Sequence, residues 1–218
     1  MNINLREAVR YLGYKGSVPD PHTMEIVRSV ADEVAMSAAP KSVYRRFKAE
    51  VREEEVVAAD IVLRSRNLAH NLMGCREIVI MAATLGSEID MLMNRYQKLD
   101  ITRAAVLQAV AAAAIEDYCN EINIKIRDKV REEGLYLRPR YSPGDGDLSL
   151  DYQKDILGLL QADKFAGITL TEGGIMLPEK SVSAIIGVTD LEGSRHRGNC
   201  VLEGCDACMN NDTCEFRR

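Results

Sequence analysis

The chain lacks any surplus of positive charge. Its 28 Lys and Arg are outnumbered by 33 Asp and Glu, and with three His the net charge is −5. Nucleic-acid surfaces ordinarily carry a basic patch, so this balance argues against one and points to small molecules or proteins as partners. Long hydrophobic runs are missing as well. The most extended small-apolar stretch, Ala109 to Ile115, falls far short of the roughly 20 residues needed to cross a bilayer. The segment Met1-Asn2-Ile3-Asn4-Leu5-Arg6-Glu7 has no apolar core of the kind a secretory signal needs, so a cytoplasmic location without membrane attachment is expected. No stretch has a disordered composition: 46% hydrophobic and 28% charged residues are ordinary for a soluble globular chain. In a reducing compartment, six cysteines read as thiols or metal ligands before a disulfide framework.

What is present predicts one α+β domain over residues 1–190, followed by a small Cys-rich tail over 191–218. Leu5, Ala8, Val9 and Leu12 repeat at helical spacing. Asp20-Pro21 reads as a cap and first residue of a second helix that ends before Pro40. From Lys41 to Leu63 the pattern is β-like, broken by Glu53-Glu54-Glu55 at a solvated turn. Ser65 caps a short helix through Leu72, and Glu77 to Ala83 is apolar on both faces, as a buried strand would be. A helix over Ser87–Leu99 leads to the longest one, from Ile101 to about Glu133, with Asp100 as its cap and Gly134 as its stop. Small residues from Ala104 to Ala114 let neighbours approach closely and make this helix central. A further helix over Leu150–Leu160 would be capped by Asp147 or Ser149. Strands are expected at Gly167–Thr171 and Ser181–Val188, joined by a loop over Glu172–Lys180.

Two separated segments carry chemistry. In Arg140-Tyr141-Ser142-Pro143-Gly144-Asp145-Gly146 the arginine offers a fork of donors suited to a carboxylate, and Pro-Gly lets backbone turn tightly against a ligand. After one short helix come Leu170-Thr171-Glu172, Met176, Pro178 and Ser181-Val182-Ser183. In order and distance these two segments resemble the AdoMet-binding activation (reactivation) domain of cobalamin-dependent methionine synthase. The likeness is good from Glu116 to Val188 and loose over the first hundred residues. It implies a twisted, mostly antiparallel sheet wrapped by helices, with a long central helix. Two departures are visible: Asp145 stands where that family carries tyrosine, and nothing between Thr189 and Arg197 matches the tyrosine pair that family shows beyond its last strand.

The resemblance also implies a ligand set. S-adenosyl-L-methionine presents a carboxylate, an amine, a sulfonium, a ribose and an adenine. Arg140 suits the carboxylate, Glu116 the amine or a hydroxyl, and the backbone from Arg140 through Tyr141 and Pro143 to Gly144 the adenine edge. Asp145, Glu172 and Met176 would face a cobalamin carried by a partner. Each has a plainer reading: Glu116 as a surface glutamate on a helix turn, Arg140 as the partner of an acidic helix end. The partner would be a cobalamin-dependent methionine synthase or related corrinoid protein, with an electron donor such as flavodoxin or ferredoxin.

The tail holds Cys200-x4-Cys205-x2-Cys208-x5-Cys214. Four thiolates at such spacing can surround one Zn²⁺ or an iron–sulfur cluster, or remain free thiols or disulfides. Cys75 and Cys119 stand apart and read as buried apolar residues. Two functions follow. One is an AdoMet-binding activation subunit that supports reductive remethylation of cob(II)alamin on its partner. The other is a metal- or cluster-binding redox or assembly factor that keeps the fold without using AdoMet.

Overall fold

Local sequence signals set most element ends. Asp20 accepts the Thr23 amide at 3.0 Å and opens helix α2 (Pro21–Ser37), with proline at the first position. It follows helix α1 (Leu5–Tyr11), which is capped by Asn4. In this computed structural model the described residues are 1–14 and 16–191. Three strands come next, β1 (Lys41–Val51), β2 (Glu55–Ala58) and β3 (Ile61–Arg64), with the exposed Glu53-Glu54 turn between the first two. Ser65 accepts the Leu68 amide and caps the short helix α3 (Arg66–Asn71). Strand β4 (Glu77–Thr84) is buried along nearly its whole length, and helices α4 (Ser87–Leu99) and α5 (Ile101–Glu132) follow. Asp100 accepts the Arg103 amide at 3.0 Å, so the carboxylate expected to cap α5 does so.

The remainder is strand β5 (Tyr136–Leu137), a 3-10 turn at Leu150–Tyr152, helices α6 (Gln153–Leu160) and α7 (Ala162–Ala166), and strands β6 (Thr169–Leu170), β7 (Met176–Leu177) and β8 (Ser181–Thr189). One expectation needs correction, and one sheet assignment is added. The segment Glu172–Lys180 is not a plain loop, because Met176–Leu177 is a strand that pairs antiparallel with β6, Thr169 opposite Leu177. And β6 belongs to that two-stranded sheet rather than to the sheet that holds β8. A two-residue strand leaves no period in the sequence from which to read it.

Chain contacts divide the molecule into two compact units that interleave in sequence. The first comprises Met1–Val43, Ala82–Ile124 and Leu157–Val182. Its core is aliphatic and small: Val27, Val30 and Val34 of α2, Ile89 of α4, and Leu107, Val110, Ala111 and Ala114 of α5 are all fully buried. A polar clasp joins its helices, where the Tyr96 hydroxyl donates to Glu33 at 2.7 Å and Arg103 meets the same carboxylate at 3.3 Å.

The second unit comprises Tyr44–Met81, Lys125–Ile156 and Ser183 onward. The main sheet has the order β3-β2-β1-β4-β8-β5, and β1-β2, β2-β3 and β5-β8 pair antiparallel. Val56, Leu63, Leu68, Leu72, Ile78 and Ile80 are fully buried in this unit, each contributing about 1.5–3 kcal/mol relative to exposure. Arg46 bridges Glu77 at 2.5 Å and Glu133 at 2.7 Å, which fixes the end of α5 to strands β1 and β4.

Candidate ligand-binding loops

The Arg140 segment is built in two halves. Its upstream half lies along β8: Arg138 donates its amide to Gly187 at 2.8 Å, and Tyr141 and Ile185 exchange amide-to-carbonyl bonds at 2.9 and 2.8 Å. These bonds continue the sheet edge past the two residues of β5. Arg138 is buried, and its guanidinium reaches the Met73 carbonyl at 3.0 Å. Nothing in the sequence around Arg138 marks it as the buried arginine of the pair. Gly187 makes its burial feasible. A Cβ there would lie 2.6 Å from Cys75 Sγ, 2.7 Å from Leu72 Cδ2 and 2.8 Å from Arg138 Cγ.

The downstream half turns on itself. Asp145 donates its amide to the Ser142 carbonyl at 2.9 Å, while its carboxylate accepts the Ser142 amide at 2.8 Å. Gly144, at φ +97°, donates to Leu148 at 2.8 Å, and the Tyr141 hydroxyl donates to the Asp145 carbonyl at 3.1 Å. The amides of Tyr141, Ser142 and Gly144 are therefore already engaged, and Pro143 has none. The Tyr141, Ser142 and Asp145 carbonyls also accept bonds within the chain, so any ligand edge met by this backbone would be met chiefly by the Pro143 and Gly144 carbonyls or by remaining lone pairs. Arg140, Tyr141 and Ser142 are half-buried, Pro143 is buried, and Gly144 and Asp145 are exposed.

Of the two residues expected to cap the helix that follows, Ser149 does so and Asp147 has another role. Ser149 caps the 3-10 turn by accepting the Asp151 amide, whereas the Asp147 carboxylate reaches back to the start of α3. There it accepts from the Ser65 hydroxyl, the Arg66 amide at 2.9 Å and the Asn67 amide at 3.2 Å. These donors, the Ser65 hydroxyl first, hold the Asp147 carboxyl below its ordinary range.

The Leu170 motif is a hairpin in the first unit. Thr171 donates its amide to Ile175 at 2.9 Å, accepts the Gly174 amide at its carbonyl, and accepts the Ile175 amide at Oγ1 at 3.1 Å. Gly174, at φ +77°, closes this turn. The turn lifts Glu172 into solvent, while Met176 is half-buried on β7. Beyond the cis Leu177–Pro178 bond, the Ser181 hydroxyl donates to the Pro178 carbonyl at 2.6 Å, and Asp90 accepts the Glu179 amide at 3.0 Å. Burial pushes the Asp90 carboxyl up, and burial also lowers Lys180, whose ammonium donates to Gln108 at 2.6 Å.

Glu116 lies half-buried on α5, in the first unit, beside α1. Burial raises the Tyr11 phenol and the Glu116 charge adds to that rise. Next to it, Asp117 accepts the Asn4 amide at 2.7 Å, yet burial raises its carboxyl, with Glu7, Glu121 and Glu116 contributing. Asn4, Asp117, Asn120 and Glu121 line an open groove of about 550 Å³. Asp117 thus has Glu7, Glu116 and Glu121 as charged neighbours.

Cys75 and Cys119 are buried and in no disulfide, in keeping with the buried apolar residues expected, and burial pushes the Cys75 thiol up. No group of three or more metal-ligating side chains occurs among the described residues. Cys200, Cys205, Cys208 and Cys214 lie outside the described residues. Among the described residues no helix is long and apolar enough to cross a membrane.

No protein-family model matches the chain, and no curated protein matches it. Among solved structures it is similar to one described as the MetH reactivation domain bound to AdoHcy, with a TM-score of 0.61 over 88% of this chain and 77% of that one. The chain has the reactivation-domain fold. At 17% identity the likeness concerns the fold, and it agrees with the resemblance carried by the Arg140 and Leu170 motifs. It also extends beyond those motifs, over most of the chain, into the N-terminal hundred residues where the sequence likeness was loose. Within the reactivation-domain fold the two motifs are a sheet-edge loop and a hairpin.

Proposed function

We propose that this protein binds S-adenosyl-L-methionine and serves as a reactivation subunit for a separate cobalamin-bearing protein. The observation that carries this reading is the agreement of two independent likenesses. The Arg140 and Leu170 motifs resemble the activation domain, and the fold is similar to a reactivation domain whose solved structure holds AdoHcy.

In this reading Arg140, half-buried at the sheet edge, takes the ligand carboxylate, and its planar fork suits a bidentate contact. Tyr141, Pro143 and Gly144 form the wall of the pocket. The carbonyls of this loop accept from the adenine amino group, because several of its amides are engaged inside the chain. The loop's donor set fits its part of the group: a fixed cation for a carboxylate and carbonyls for an amino edge. Bound S-adenosyl-L-methionine supplies an electrophilic methyl group. Asp145, Glu172 and Met176, the first two exposed, face the partner's corrin, and a flavodoxin or ferredoxin supplies the electron that cob(II)alamin needs before methylation. The chain's own contribution is to bind, to orient and to present this face.

Calorimetric titration of S-adenosyl-L-methionine into the wild type and Arg140→Ala tests the assignment. The variant should lose at least about 1.5 kcal/mol of binding free energy, the lower value for a hydrogen bond to a charged group. Equal affinities would remove Arg140 from the site.

The second reading, a metal- or cluster-binding redox or assembly factor, is favoured by the four tail cysteines. Zinc, or iron with acid-labile sulfide, in anaerobically purified protein that binds no S-adenosyl-L-methionine would select it.

A further inference from the structure

Among the described residues the Arg140 loop has a strand partner on its upstream side alone. Arg138 and Tyr141 are held by β8, whereas the run from Pro143 to Gly146 contains two glycines at positive φ, Gly144 at +97° and Gly146 at +53°. Such a run has little conformational preference of its own, and its shape must come from anchors. One anchor is internal, the exchange between Ser142 and Asp145. Another is remote: Asp147, immediately after the loop, accepts from the Ser65 hydroxyl and from the Arg66 and Asn67 amides of α3, some 80 residues earlier in the chain. Gly146 lies tight in the angle between them. A Cβ at that position would meet the Tyr141 hydroxyl and come within 2.5 Å of Asn67 Nδ2.

We infer that Asp147 is a positioning residue. By clamping the far end of the Arg140 loop to the start of α3, it holds the tyrosine and the loop carbonyls in the arrangement that receives the ligand. The inference rests on the reactivation reading for the ligand but not for the clamp. A loop ordered before binding loses less conformational entropy on binding, so the clamp acts on affinity without touching the ligand. Ser65 also caps α3 through the Leu68 amide, so its removal would disturb the helix itself, and Asp147 is the cleaner residue to change.

The experiment compares wild type and Asp147→Ala by hydrogen–deuterium exchange and by titration with S-adenosyl-L-methionine. Amides of Ser142, Gly144, Asp145 and Leu148 should exchange at least tenfold faster in the variant, with Ile185 and the α5 amides unchanged. The dissociation constant should rise about tenfold, and Asp147→Asn, which retains a neutral acceptor, should recover part of both effects. If Asp147→Ala does not fold, Asp147→Asn against wild type gives the same comparison with smaller changes. Unchanged loop exchange overturns the clamp, and faster exchange with an unchanged dissociation constant overturns the positioning role. A wild type that binds no S-adenosyl-L-methionine overturns the functional reading instead, and is seen before any variant is made.

Discussion

Gly187 and Asp117 show how single positions constrain this molecule. Gly187 sits in β8 where Cys75, Leu72 and Arg138 all come within 2.8 Å of a would-be Cβ. Gly187→Ala should therefore lower stability by about 1–3 kcal/mol, as overpacking does, and denaturant midpoints will measure it. Asp117 works through charge. Burial raises its carboxyl, so the folded state holds that proton more tightly than the unfolded chain does. The stability this affinity contributes is fully present below the ordinary carboxylate value of about 3.9, and it is lost as pH rises from there through the folded value. Asp117→Asn keeps an acceptor for the Asn4 amide and removes the charge. The variant should gain stability relative to wild type at pH 7 and show a flatter change between pH 4 and pH 7 in unfolding experiments. Arg140 stands out among turn-rich neighbours, whereas the contacts of Arg138 and Asp147 leave no local signal, because their partners lie 65 and about 80 residues away in sequence.

The elements that sequence reasoning found are those with a period or a cap. Helix α2 has Asp-Pro at its start, α5 has Asp100 at its start and Gly134 after its end, and β4 is apolar on both faces. The short strands β5, β6 and β7 have only two residues each, so pairing rather than pattern defines them. The β6–β7 hairpin is the instructive case. Its turn chemistry, Thr171 with Gly174, was in plain view, yet the strand after it was absorbed into a loop because Pro178 follows at once. The small residues of α5 make a further prediction. Ala111 is fully buried, so Ala111→Leu should cost about 1–3 kcal/mol, read from denaturant midpoints. Tolerance of leucine there would mean that α5 is not closely packed at this turn.

At the scale of the whole molecule, a reactivation-domain fold is kept at 17% identity. Such persistence is what the physics of cores leads one to expect, since volume and patterning fix a fold more strongly than particular side chains do. A ligand site is less forgiving, and the chain departs from the resembling family's pattern within the loop proposed to bind the ligand. Asp145 stands where the family has tyrosine, and its carboxylate is turned to the Ser142 amide. The loop is thus self-stabilised by a side chain that cannot stack on a nucleotide or a corrin, which in the proposed reading leaves ligand contacts to Arg140, Tyr141 and the backbone. The central claim is that this altered loop binds S-adenosyl-L-methionine. Calorimetric titration of the anaerobically purified wild type, alone and with a cobalamin-loaded partner domain, tests it directly. The account predicts saturable binding of one ligand per chain, displaced by AdoHcy. Absence of heat and of saturation in both conditions would contradict it.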